Sequence, residues 1–289
     1  MNLKIENLSK TYPNGKKALD CINLEVTTGM FGILGPNGAG KSTLMRTIAT
    51  LQLPSSGNIH FNTIDILHQQ IELKKVLGYL PQDFDFPKKE KPYNLLLHFG
   101  LLKGIQSKKD REILAESLLK KVNLWDARKQ KLGTFSGGMK QRMGIALVLL
   151  GDPKLIIVDE PTAGLDPDER NRFHNLLSEL GENVVVILST HIVEDVSDLC
   201  TNMAIIKDGK IITKGSPANV INDVKGKIWT LEIPKSSLVG YQEKYNVVST
   251  RLYAGKTIIH VYSETRPGEG FEPTTPTLQH AYFRHLRLN

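Results

Sequence analysis

Apolar and polar positions change their period several times along the 289-residue chain. Short β-like runs open it, at residues 3–8, 22–26 and 31–34. The last runs straight into Gly-Pro-Asn-Gly-Ala-Gly-Lys-Ser-Thr, and a helix is expected from near Lys41 toward Leu51. Pro54, Ser55, Ser56 and Gly57 read as a turn, and residues 76–80 as a strand ending in Pro81-Gln82. From about Tyr93 to Leu150 the period becomes helical, with Ile113, Leu114, Leu118, Leu119 and Val122 at helical spacing. Two continuous apolar runs, 155–158 and 184–188, fit strands buried on both faces, as in parallel sheets. Helices are expected over 167–180 and 193–200. Strands alternating with helices indicate an α/β domain on a mainly parallel sheet.

The pattern shifts after Gly215-Ser216-Pro217. Beyond it lie β-like pieces at 228–233 and 257–262, a Gly/Pro/Thr-rich link at 267–276 and a short terminal helix from near Leu278. We expect a main domain over 1–217 and a small α+β domain over 218–289, with no internal repeat.

Composition excludes more than it identifies. Hydrophobic residues at 40% and charged residues at 23% fit an ordinary globular chain. The most apolar stretch, 143–150, is far short of the roughly 20 residues of a membrane-spanning helix. Charges at Lys4 and Glu6 fall where a signal peptide is apolar, so a cytoplasmic chain is expected. Cys21 and Cys200 lack metal-ligand spacing and are expected to be reduced, buried thiols. The segment 88–131 holds twelve basic and five acidic residues, which is the whole net charge of +7. It reads as a solvated helix surface, or as one facing anionic headgroups or an acidic partner loop. Regularly interleaved aromatic residues, which would favour nucleic acid, are missing.

Candidate chemistry is concentrated in two motifs. Gly35-Pro36-Asn37-Gly38-Ala39-Gly40-Lys41-Ser42, followed by Thr43, fits the phosphate-loop pattern between a strand and a helix. Its glycines let successive N–H groups converge on phosphate oxygens, and the helix N-terminus adds its positive end. Lys41 is expected at the β- and γ-phosphates and the Ser42 hydroxyl on Mg²⁺. The apolar run 155–158 ends in Asp159-Glu160, a Walker B pattern at the strand end where such sheets bind ligands. Asp159 is expected to orient Mg²⁺ and Glu160 to act as general base on a water.

Phe135-Ser136-Gly137-Gly138-Met139-Lys140-Gln141-Arg142 reads, by itself, as a Ser-Gly-Gly helix start. It resembles the LSGGQ signature of the ABC ATPases, with Phe135 for Leu and Met139 for Gln. The resemblance covers roughly residues 1–215 in the family's order. It implies a P-loop ABC fold: a mainly parallel core, an antiparallel β subdomain and a helical signature subdomain at about 88–151. It also implies site roles. Tyr12, 23 residues before Gly35, would stack on adenine. Gln82 would touch Mg²⁺ or water. Ser136, Gly137 and Gly138 would bind the γ-phosphate of an ATP held by a second copy. Asp166, in Ala163-Gly164-Leu165-Asp166, would belong to a loop crossing that interface, and His191 would be the switch histidine.

The implied protein hydrolyses ATP with Mg²⁺ as a head-to-tail dimer. It would sit peripherally at the cytoplasmic face of the cell membrane and drive a separate integral membrane permease. Some exporter subunits of the family share the SGGMKQR variant, and the tail 273–283 resembles the ending of drug, antibiotic and bacteriocin exporter ATPases. Export is therefore expected. The alternative is a soluble ABC ATPase on ribosomes or nucleic acid. Ribosome-acting members usually carry two cassettes, and chromosome-structuring members insert long coiled coils. Only 94 residues separate Lys41 from Ser136 here, so no nucleic acid is expected.

Overall fold

The computed structural model describes residues 1–180, 183–253 and 255–288. β1 (Asn2–Thr11) pairs antiparallel with β2 (Lys17–Thr27), and β3 (Gly29–Leu34) leads through the glycine-rich loop into α1 (Lys41–Ile48). β4 (Ser56–Phe61), β5 (Ile64–Asp65), α2 (Gln70–Val76) and β6 (Leu77–Leu80) follow. The helical stretch comprises α3 (Pro92–Leu102), α4 (Lys108–Lys121), a 3-10 turn (Leu132–Thr134) and α5 (Gly137–Val148). β7 (Leu155–Asp159), α6 (Pro167–Ser178), β8 (Val185–Thr190) and α7 (Val193–Leu199) then alternate, before the hairpin of β9 (Asn202–Lys207) and β10 (Lys210–Gly215). α8 (Pro217–Asn222), β11 (Ile228–Ile233), a 3-10 turn (Lys235–Ser237), α9 (Leu238–Lys244), β12 (Val247–Tyr253), β13 (Lys256–Tyr262), β14 (Glu272–Pro273) and α10 (Leu278–Leu288) complete the chain.

The central sheet has the order β10-β9-β3-β8-β7-β6. All neighbours are parallel except the edge strand β10. Its strands are apolar on both faces because both faces are covered. Ile156, Val158, Val186 and Leu188 point into a core shared with α3 to α7. Leu155, Ile157, Val185 and Ile187 point into a second core, shared with α1, α2 and the antiparallel sheet β2-β1-β4-β5. Helix ends follow local chemistry. Ser107 caps α4 by accepting from the Asp110 N–H at 3.3 Å, with Asp110 in its first turn and Lys120 and Lys121 in its last.

The third sheet, β12-β13-β11-β14, has a small core of its own around Ile233, Val247, Ile259, Val261 and Phe271. Val220, Val224, Ile228, Val248, Leu278, Ala281 and Tyr282 instead join the main core. The segment from α8 to α10 thus packs its apolar side onto the central unit.

Several expectations need correction. Cys21 is exposed, because it takes an outward place in β2 with φ of 52°. The helical spacing read over 113–122 holds in α4, which buries Ala115, Leu118 and Leu119 and turns Ile113 outward. The turn over 54–57 is half strand, since β4 begins at Ser56. The Gly/Pro/Thr-rich link contains β14, which pairs with β11. β10 and β12 carry polar residues such as Thr213, Ser249 and Arg251, so hydrophobicity alone did not mark them as strands.

Tyr282 is 4% exposed within the main core. Tyr282→Ala should therefore lower unfolding free energy by about 3 kcal/mol, read from urea denaturation. A loss below about 1 kcal/mol would mean that α10 contributes little to the shared core.

Candidate functional site

The carboxyl ends of β3, β8 and β7 lie side by side, with Leu34 beside Thr190 and Asp159 beside Ser189. Each strand delivers one site segment at that edge, where open α/β sheets bind ligands. After β3, residues Gly35, Pro36, Asn37, Gly38 and Ala39 turn toward α1. The Gly35 N–H donates to the Thr190 carbonyl at 3.3 Å and the Ala39 N–H to the Pro36 carbonyl at 3.2 Å. Gly40, before α1, has φ of +109°, and a Cβ there would sit 2.5 Å from the Ala18 carbonyl oxygen. Only glycine fits that place.

Lys41 is 4% exposed. Its Nζ donates to the carbonyls of Gly35 at 2.9 Å and Pro36 at 3.2 Å, and pairs with Glu160 Oε1 at 3.0 Å. Glu160, just past β7, has φ of 47° and donates its N–H to the Ser189 carbonyl at 2.9 Å. Its second oxygen, Oε2, lies 3.0 Å from His191 Nδ1 beyond β8. Asp159 accepts from the Ser189 hydroxyl, and the Ser42 hydroxyl is also bonded to it. Burial pushes the Asp159 carboxyl above its usual range, and Glu160 adds to this; the two serines and Lys41 oppose it. Tyr79 on β6 is pushed up to about 12, first by burial and then by the charge of Asp159.

A cleft of about 340 Å³ opens onto these groups, lined among others by Tyr12, Asn37, Lys41, Ser42, Gln82 and Glu160. Gly38, Gly40 and Thr43 line it too. The Tyr12 hydroxyl meets Thr43 Oγ1 at 3.3 Å and donates to Gln52 Oε1 at 3.1 Å, so its ring stands at the cleft wall. Oxygens gather here from the Asp159 carboxylate and the Ser42 hydroxyl bonded to it, and Gln82 lines the adjoining cleft. That set suits a hard cation such as Mg²⁺.

The family model for the ABC transporter matches residues 19–163. The chain belongs to the ABC transporter family. The linearmycin resistance ATP-binding protein of Bacillus subtilis is 35% identical over 78% of this chain and 72% of that protein. The Nod factor export ATP-binding protein I of Rhizobium etli is 32% identical over 78% of this chain and 71% of that one. A solved dimeric ATP-binding cassette bound to ADP and Pi matches with a TM-score of 0.67 at 28% identity. It covers 74% of this chain and 98% of that one. The architecture is accordingly the α/β P-loop fold of an ABC ATP-binding domain.

Within a single ABC subunit not all expected site residues meet. Tyr12, the loop 35–43, Gln82, Asp159, Glu160 and His191 gather around one edge of the sheet. Ser136, Gly137, Gly138 and Asp166 do not line that cleft. Ser136 caps α5, its hydroxyl accepting from the Met139 N–H at 3.2 Å, and Asp166 caps α6 by accepting from the Glu169 N–H at 2.8 Å. Gly137 borders a second cleft with Gln82 and Asp85. There Lys140 pairs with Asp85 at 2.9 Å and holds its carboxyl below the usual range. Sequence reasoning missed Lys16 at the cleft and Gln52 beside Tyr12. It also missed the 3.2 Å pair of Arg142 on α5 with Glu169 on α6, and Asp195 on α7. Gln52 meets Tyr12 40 positions away, Glu169 meets Arg142 27 away, and Thr162, Arg170 and His174 meet Asp195 from 21 to 33 away, where no local pattern connects them.

Asp159 has a pKa raised above 3.8 in the fold. The folded state therefore holds that proton more tightly than the unfolded chain. Its contribution weakens the fold as pH rises from 3.8 through the folded value. Asp159→Asn should raise the nucleotide-free melting temperature at pH 7 and flatten its acid-side slope. A lower melting temperature in calorimetry would mean that Ser42, Ser189 and Lys41 more than offset the buried charge.

Proposed function

We propose that this chain is the ATP-hydrolysing subunit of an ABC transporter, and that two copies close head to tail on two ATP molecules. Opening and closing then drive transport, in the export direction, through a separate membrane-spanning permease. The observation that carries this reading is the 3.0 Å pairing of Lys41 and of His191 with the two oxygens of Glu160, beside a cleft that the signature residues do not reach. One chain then has half of each site, and the dimeric state of the matched cassette supports the missing half coming from a second copy.

In this reading the amides of residues 38–42 and Lys41 hold the phosphates, and the Tyr12 ring takes the adenine. Ser42, Asp159 and Gln82 would hold Mg²⁺, which supplies positive charge to the β- and γ-phosphate oxygens. Lys41 is committed to Gly35, Pro36 and Glu160. Phosphate oxygens compete for it, and its departure frees Glu160 Oε1 to accept a proton from the attacking water. His191 steadies Oε2 and reaches the γ-phosphate. Ser136, Gly137 and Gly138 complete the other copy's site from the start of α5, and Asp166 ends the loop that crosses between copies. Residues 218–289 form an accessory unit that stabilises the cassette.

Among the described residues no helix is long and apolar enough to cross a membrane, in keeping with a peripheral subunit that docks on a permease. The relative named for Nod factor export and the SGGMKQR variant support outward transport.

Glu160→Gln should cut turnover by roughly 10²–10⁴-fold while nucleotide binding persists. An unchanged rate would remove Glu160 from the chemistry. Lys41→Ala should instead weaken ATP binding in a fluorescent-nucleotide titration, and undiminished affinity would contradict the phosphate-loop role. The transport reading is tested by recovering the tagged chain from detergent-solubilised membranes of its host, followed by mass spectrometry. A multi-span protein in near-equal amount is expected. Recovery only from the soluble fraction, with ribosomes or nucleic acid, would overturn transport.

A further inference from the structure

Asp195, the third residue of α7, is fully buried, yet it does not line the cleft. Two loops of the site converge on it. Its Oδ2 accepts from the Thr162 hydroxyl at 2.6 Å and from the Thr190 hydroxyl at 2.9 Å. Its Oδ1 accepts from Arg170 Nε at 3.0 Å, with Arg170 Nη2 at 2.8 Å and His174 Nε2 at 2.9 Å. Thr162 lies two residues past Glu160, and Thr190 immediately precedes His191. The Thr190 hydroxyl also accepts from the Ile192 N–H at 3.0 Å, which closes the turn around His191. Arg170 and His174 belong to α6, which begins at the end of the loop 163–166.

We propose that Asp195 is a positioning residue for ATP hydrolysis, holding the Glu160 loop, the His191 turn and the start of α6 in one arrangement. One oxygen sets the spacing between the two loops whose side chains meet at 3.0 Å as Glu160 and His191. The other ties that spacing to α6, and so to the loop that ends in Asp166. A buried carboxylate with this many donors has little room to shift, because each donor would lose its partner in a place without water. Among the described residues, Asp195 reaches the Glu160 and His191 segments through Thr162 and Thr190, and it does not line the cleft.

The inference rests on the hydrolysis reading above, and its test separates the two. Thr190→Val and Thr162→Val keep side-chain size and remove a hydroxyl, and Thr190→Ser keeps the hydroxyl. Steady-state ATPase assays on the full chain give kcat and KM for each, with melting temperature and nucleotide affinity measured alongside. We expect Thr190→Val to lower kcat by about tenfold to a hundredfold with ATP affinity unchanged, and Thr190→Ser to keep most of the wild-type kcat. Asp195→Asn should show the same kcat loss where it folds. If the valine variants melt earlier but retain wild-type kcat, Asp195 is a structural residue only and the proposal fails. If Thr190→Ser is as slow as Thr190→Val, the hydroxyl link is not the cause, and the proposal fails likewise. A wild-type chain without ATP turnover would instead overturn the hydrolysis reading on which it stands.

Discussion

Parallel pairing of β3, β8 and β7 is the constraint on which the site depends. Register places Leu34 beside Thr190 and Asp159 beside Ser189, so three segments distant in sequence leave the sheet at one edge. Each brings a different chemistry: glycines with Lys41, a carboxylate pair, and His191. The sheet holds this register because each face packs its own set of side chains, Ile156, Val158, Val186 and Leu188 on one and Leu155, Ile157, Val185 and Ile187 on the other. A slip by one residue would turn every apolar side chain to the opposite face. The helices covering the sheet therefore fix the chemistry as much as they fix the core.

At that edge the charges interlock. Glu160 is shared between Lys41 and His191, while Asp159 beside it bears a burial cost that nearby hydroxyls only partly offset. Such a carboxylate is poised to take a cation, and such a lysine to be drawn off by phosphate. α6 reaches two ways from this centre. Glu169 pairs with Arg142 of the signature helix α5, and Arg170 and His174 hold Asp195 behind the His191 turn. α5 and the Glu160–His191 edge are thus joined through α6 inside one chain, although they border different clefts.

What could be read from residues alone was what is local. The phosphate loop, the apolar run before Asp159-Glu160 and the order of the family motifs lie in short windows, and their elements appear in the structure as strand, loop and helix. The Asp195 cluster was illegible because its members stand at 162, 170, 174, 190 and 195 on four separate segments. Cys21 was misread because burial statistics for cysteine do not see the alternation of β2. The segment after 217 shifts in composition, and it holds both a small core of its own and residues such as Val220, Val224 and Tyr282 that join the main core. No local pattern marks which apolar residues meet across such distances.

The claim that one chain supplies half of each ATP site is tested most directly by solution mass. Light scattering on the Glu160→Gln chain should show 32.2 kDa without nucleotide and twice that with Mg²⁺ and ATP. Adding Ser136→Arg, which obstructs the signature while leaving the phosphate loop intact, should return the mass to that of one chain in the presence of ATP. A chain that stays single with ATP bound, or a dimer indifferent to Ser136→Arg, would contradict a site shared between copies.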